Sequence, residues 1–247
     1  MPPINSEEYR LLYTDEYGED VGLDEVQLLD PPLEERVPAL SKMLNSSDPY
    51  LSYQSTLVLA AWGKDIALDK LEEYINKEDI SNKGFSPNRI TGEDNVYDEL
   101  SYAVHLYGLS EGNKERMLKA FKKILAIYPD YYFESKLKLG LLSNDFVELI
   151  PFIEKAINNT LSLGKTYQAS QLLPVLTKLD PDKGWQTIQQ FTNLPASTPN
   201  PKANIAEALK YYPSEESLEL LNTYTKNQDP AVALEAEQSL KYFTDRI

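Results

Sequence analysis

Between residues 37 and 63 apolar side chains return at steps of three and four. Val37, Leu40, Met43 and Leu44 make one run; Leu51, Val58, Leu59 and Trp62, with Ser55 among them, make a second. That spacing marks one face of an α-helix. The polar stretch Asn45-Ser46-Ser47-Asp48-Pro49 separates the runs. Asp48 suits the N-cap of the second helix, and Pro49 its first position, where the missing N–H costs nothing. Gly63 is placed to end that helix in the left-handed conformation. The stretch predicts a helical hairpin with a short, stiff turn.

The same period runs through most of the chain. Asn5 and Glu8 have the spacing of a capping box, and Ile4 and Tyr9 that of a hydrophobic staple. They predict a first helix that continues to about Tyr17 and stops at Gly18, with Tyr9, Tyr13 and Tyr17 in one aromatic stripe. Residues 66–75 predict another helix, with Leu68, Leu71 and Ile75 together. Residues 76–94 then carry Gly, Pro, Ser and Asn and no helical face, and form a longer connection than most. From residue 95 to 192 helices resume. Leu100, Val104 and Tyr107 share one side; Met117, Phe121, Ile124, Leu125 and Tyr128 share another. Residues 145–164 and 165–179 read as a helical pair, and Asp180-Pro181 opens the next turn. A break at 193–204 holds Pro195, Pro199 and Pro201 and reads as a hinge. No alternating strand pattern of useful length occurs, which predicts an all-α chain.

Residues 217–243 copy the first hairpin. With Asp229-Pro230 aligned on Asp48-Pro49, Val37 pairs with Leu218, Leu40 with Leu221 and Met43 with Tyr224. Beyond the turn Leu51 pairs with Val232, Ser55 with Ala236 and Leu59 with Leu240, without gaps. Repeated helix pairs point to stacked units that bury their faces on one another. With Pro38 ten residues before Asp48, and an Ala/Ser/Leu-rich second helix, the pattern resembles a HEAT or armadillo-type repeat. The final unit departs from it, carrying Glu219 where Pro38 stands. The resemblance implies a right-handed α-solenoid of stacked helical hairpins and a curved binding scaffold. The expected organisation is one domain over 1–247. It comprises an acidic leader (1–36), a first unit (37–75), the long loop (76–94), middle hairpins (95–192), the Pro-rich break (193–204) and a last unit (205–247).

Charge adds what the period does not show. The chain has 24 basic and 39 acidic side chains, a net charge of −15. That argues against nucleic acid or an anionic membrane as partner, since both need Lys/Arg surfaces. In the first 36 residues 11 acids face only Arg10 and Arg36. There are no cysteines, so thiolate chemistry, zinc–thiolate sites and disulfides are excluded. The start lacks the basic and apolar regions of a secretory signal, and no run is long and apolar enough to span a bilayer. The expectation is a cytoplasmic protein.

Candidate chemistry is sparse. His105 is the only histidine, so a His-rich metal site is not available. Gly63-Lys64 lacks the rest of a phosphate loop, and Thr91-Gly92-Glu93-Asp94 lacks the spaced ligands of an EF-hand. Carboxylate pairs are too numerous to single out a hydrolase. The expectation is a binding protein without catalysis, cofactor or metal. Its surface resembles that of bacterial immunity proteins, which neutralise nuclease toxins. That resemblance implies a basic, nuclease-type partner masked by acidic side chains. The residues expected to meet it are Tyr13, Asp15, Glu16, Tyr17, Glu19, Asp20, Asp24 and Glu25 in the leader, and Glu93, Asp94, Tyr97 and Asp98 after the long loop. A HEAT-like adaptor and a small carboxylate hydrolase are the alternatives.

Overall fold

The helices that the apolar period predicts are present in a computed structural model, which describes residues 1–77, 80–88, 92–110, 112–192, 194 and 197–244. Among these residues there is no β-strand, only isolated bridges between Thr14 and Asp20 and between Pro87 and Asp94. The chain is all-α. Where the sequence reading runs one domain from 1 to 247, the fold divides into two compact units. One holds residues 1–127 and 131–140, the other 128–130 and 141–247.

The first unit contains α1 (Glu7–Tyr13), α2 (Leu23–Gln27), α3 (Val37–Met43), α4 (Pro49–Ala61), α5 (Asp65–Asn76), α6 (Val96–Leu109) and α7 (Lys114–Ile127), and α8 (Lys136–Leu142) begins in it. α3 and α4 are the expected hairpin. The Asp48 carboxylate accepts the Tyr50 N–H at 2.9 Å, and Pro49 opens the helix. At the far end Gly63 adopts φ +71°. Its N–H reaches the Ala60 carbonyl at 2.9 Å, and the Lys64 N–H reaches that of Leu59 at 2.9 Å. These are the two bonds of a Schellman cap. From Ser52 to Ala61 every α4 side chain is buried, as is that of the C-cap Trp62. The single apolar face read from the sequence is therefore too narrow, because α1, α2, α3, α5 and α6 all pack around this helix.

α4 lies against α6, and α5 against α7. Ion pairs set the register of the second contact. Arg116 meets Asp65 at 3.3 Å and also Asp69, while Lys119 and Lys123 meet Glu72 at 2.8 and 3.0 Å. Residue numbers rise together on both sides, so α5 and α7 run parallel. The pairs are partly open to solvent, and each contributes about 0.2–1 kcal/mol.

The second unit contains α9 (Ile150–Ser162), α10 (Thr166–Ser170), α11 (Leu173–Leu179), α12 (Pro181–Thr192), α13 (Lys202–Leu209), α14 (Glu215–Tyr224) and α15 (Pro230–Thr244). The stretch 165–179, read as one helix, is two. Pro174 has no N–H for the Ser170 carbonyl, so the chain turns at Gln171 and Leu172. α13 packs on α11 and on α15. α11 and α12 cross closely at Gly184, where a Cβ would overlap the Cα and hydroxyl of Thr177. In the 193–204 break, residues 193, 195 and 196 lie outside the described residues, and Pro201 directly precedes α13.

α14 and α15 repeat the first hairpin down to its turn. Asp229 accepts the Ala231 N–H at 3.0 Å, as Asp48 does that of Tyr50. The Asp229 N–H goes to the Asn227 side chain at 3.0 Å, and the Asp48 N–H to the Ser46 hydroxyl at 3.1 Å. Leu40 and Leu221 are both fully buried, as are Ser55 and Ala236. Leu218, matched to Val37, is exposed.

The crossing at Gly184 yields a prediction. Gly184→Ala forces α11 and α12 apart and should destabilise the protein by about 1–3 kcal/mol in urea unfolding. A stability equal to the wild type would show that the crossing has slack.

Candidate functional site

The acidic leader is ordered by one internal set of bonds and by two contacts with the core. Arg36 is 8 % exposed, and its guanidinium donates to the carbonyls of Thr14 and Asp15 at 2.6 Å and of Arg10 at 3.1 Å. These carbonyls close the C-terminal end of α1, which no residue of α1 itself satisfies. The Trp62 indole donates to the Val26 carbonyl at 2.9 Å, and Gln54 donates to the Tyr13 hydroxyl. Leu12 and Val26 are fully buried beside these bonds.

The first helix is shorter than the spacing predicts. Ser6, not Asn5, caps it, its hydroxyl accepting the Tyr9 N–H at 3.1 Å. Ile4 is exposed, so the hydrophobic staple does not form. α1 stops at Tyr13 because the following polar residues bond locally. The Asp15 carboxylate accepts the N–H groups of Tyr17 and Glu19, both at 2.9 Å, and the Asp15 N–H reaches the Glu19 carbonyl at 3.0 Å. Short polar side chains compete with the helix in this way. Gly18 adopts φ +84° in the resulting turn. Tyr9 and Tyr13 stack with ring centres 4.9 Å apart, but Tyr17 leaves the stripe and stands 82 % exposed at the tip of the loop.

The charges follow from this geometry. Burial lowers the pKa of Arg36, and its positive charge lies inside, on carbonyl oxygens. Glu34 pairs with Lys64 at 2.5 Å. Glu7, Glu16, Glu19, Asp20, Asp24, Glu25, Asp30 and Glu35 remain on the surface, and Arg10 is the one exposed cation in residues 1–36. The Tyr9 hydroxyl donates to Asp20 at 2.5 Å, and that carboxylate raises its pKa. Burial pushes the Tyr13 hydroxyl up to about 12. An open cleft of about 640 Å³ lies between the start of α1 and the 14–20 loop, with Ile4, Ser6, Glu7, Arg10, Thr14 and Asp20 among its walls.

The structure sorts the expected contact residues. Glu16, Tyr17, Glu19, Asp20, Asp24 and Glu25 are exposed together on the leader, while Asp15 shapes the loop. Tyr13 is a correction: it is buried against α4 and unavailable to a partner. Tyr97 and Asp98 are corrections too, at 2 % and 1 % exposure. Asp98 reaches from α6 to cap α8, accepting the N–H groups of Glu134, Ser135, Lys136 and Leu137 at 3.0–3.2 Å. Burial raises its pKa, and the four N–H groups oppose that shift. Asp94 likewise holds its own loop, accepting from the backbone of Lys83, Gly84 and Ser86. Phe85 anchors this loop on Tyr50 and Tyr53, with ring centres 5.2 and 5.7 Å away. Glu93 is exposed, and residues 78, 79 and 89–91, Thr91 among them, lie outside the described residues. The leader's field reaches α6: burial raises the pKa of Glu99, Asp98 and Asp24 add to that, and Lys136 opposes it.

Among the described residues no group of three or more acidic, histidine or cysteine side chains is placed to hold a metal. His105 is buried and its Nδ1 has no partner there. The role of Arg36 escaped the sequence reading; the only signal was a lone base closing an acidic run. Comparison of the chain with protein-family models, curated proteins and solved structures finds no match.

Two predictions follow from the buried groups. Asp98→Ala strands four N–H groups and should cost about 2 kcal/mol of stability without touching the leader surface, as read by denaturant unfolding and near-UV dichroism. A neutral result would mean that water replaces the cap. Burial lowers the pKa of His105, so the unfolded chain takes up its proton first as pH falls below about 6.5. Wild type should therefore lose stability between neutral and mildly acidic pH relative to His105→Leu. Parallel pH profiles for the two proteins would contradict this.

Proposed function

We propose that this chain is a non-catalytic binding module that captures a basic protein through its acidic leader, centred on the 14–20 loop. The observation that carries the reading is where Arg36 sits. The leader's second base is buried on backbone carbonyls, so its surface is more acidic than its composition suggests. Exposed carboxylates steer a basic partner into encounter and raise its on-rate. Tyr17 then supplies what charge does not: a large, amphipathic side chain on a loop already held by the Asp15 bonds, with little entropy left to lose. The finer form of the proposal is an immunity-type inhibitor that acts in the cytoplasm. It masks a nuclease toxin by placing carboxylates where the toxin's basic site receives phosphates. The scaffold behind it is then a right-handed α-solenoid, a reading supported by the repeated Asp-Pro hairpin and the parallel α5/α7 pair.

The test avoids residues that hold the loop together. Asp15 and Asp20 are hydrogen-bonded within the leader, so their replacement mixes folding with binding. Glu16→Lys, Glu19→Lys and Tyr17→Ala change exposed side chains only. The protein is expected to co-purify with a basic protein at low salt, release it as ionic strength rises, and inhibit it if it is a nuclease. The triple variant should keep wild-type helicity and lose at least about tenfold in affinity. Retention of nothing basic at low salt, or unchanged affinity in the variant, would overturn the reading.

A further inference from the structure

Arg10 is a cation without an ion pair in the most acidic part of the chain. It forms no salt bridge among the described residues, although its near neighbours in sequence and space are carboxylates. It lies on the wall of the 640 Å³ cleft, with Glu7 and Asp20 on the same cleft. The cleft wall therefore carries one positive and two negative side chains. Ser6 and Thr14 line it between them, but both hydroxyls are already engaged. Ser6 accepts from Tyr9, and Thr14 donates to the Arg10 carbonyl at 2.8 Å. The charged side chains at the cleft are Glu7, Arg10 and Asp20, and Asp20 also accepts from the Tyr9 hydroxyl.

A uniformly basic segment meets repulsion at Arg10 here. A segment with one carboxylate between basic side chains matches all three groups. Resting on the proposed capture of a basic partner, we propose that Arg10 selects which basic partner binds. The cleft takes a partner segment in which a carboxylate is flanked by basic residues, the carboxylate pairing with Arg10 and the flanking bases with Glu7 and Asp20. The acidic leader then supplies attraction to many basic surfaces, and the guanidinium supplies a penalty against those lacking the central acid. Specificity of this kind needs a repulsive element as well as an attractive one.

The test is a double-mutant cycle with two fluorescent hexapeptides, Lys-Arg-Lys-Arg-Lys-Arg and Lys-Arg-Glu-Arg-Lys-Arg, titrated against wild type and Arg10→Ala at low salt. Arg10→Ala removes only the exposed side chain, since the buried Arg36 bonds to the Arg10 backbone carbonyl. Its fold is checked by circular dichroism. The ratio of the two affinities should shift by about fivefold against the glutamate peptide in Arg10→Ala. Amide resonances of residues 4–20 should move on binding in the wild type. A ratio equal within about twofold in both proteins would overturn the role of Arg10 and leave the acidic capture standing. Failure of both peptides to bind wild type at low salt would overturn the capture reading and this inference with it.

Discussion

A chain built from short helices has a great many helix ends. α1, α3, α8 and α11 are seven residues long, and α10 is five. Four N–H and four C=O groups lack an internal partner at each helix's two ends. In a seven-residue helix that leaves almost every peptide group in need of an outside partner on one side. Side chains meet part of this demand. Ser6, Asp48, Ser214 and Asp229 cap their own helices. Asp98 caps α8 from α6, Arg36 closes α1, and Lys178 reaches the last carbonyl of α8 at 2.8 Å. Each such bond is worth about 1 kcal/mol, and losing one in a buried place costs more. These caps secure the helix ends, while the buried apolar side chains supply the larger share of the stability.

That demand also explains how the charges divide. A fraction of the acids is structural: Asp15, Asp48, Asp94, Asp98 and Asp229 face backbone N–H groups. Another fraction is neutralised along α5 and α7 by Arg116, Lys119 and Lys123. The leader differs from both. Its acids outnumber its bases, one base is drawn inside to close α1, and most of the remaining charges face solvent. The functional proposal grows from this uneven distribution. The net charge of the chain would be the same if the acids were spread evenly, and no contact surface would follow.

The sequence made the hairpins legible because their signals are local. Asp48-Pro49 and Asp229-Pro230 each fix a cap and a first helical turn within a few residues, and both turns form as the spacing predicts. The all-helical class follows from the apolar period for the same reason. The leader was half legible. Its acidity and the exposure of Glu16, Glu19, Asp24 and Glu25 agree with the composition, but its helix is shorter and the tyrosine stripe breaks after Tyr13. The period counts apolar positions and does not weigh the Asp15 bonds that turn the chain away from the helix.

Residue type by itself determined which elements form and how much charge the surface carries, since propensity, capping and charge need only near neighbours. Tertiary structure decided which polar groups are available. Asp98 and Glu93 are equally acidic in sequence, yet one is buried on four N–H groups of a helix 36–39 residues away and the other faces solvent. Arg10 and Arg36 are the same side chain in the same acidic stretch, and packing alone put one in a cleft and the other on the carbonyls of α1. The partner of a buried polar group is set by what folds against it, and for these residues that partner is distant along the chain.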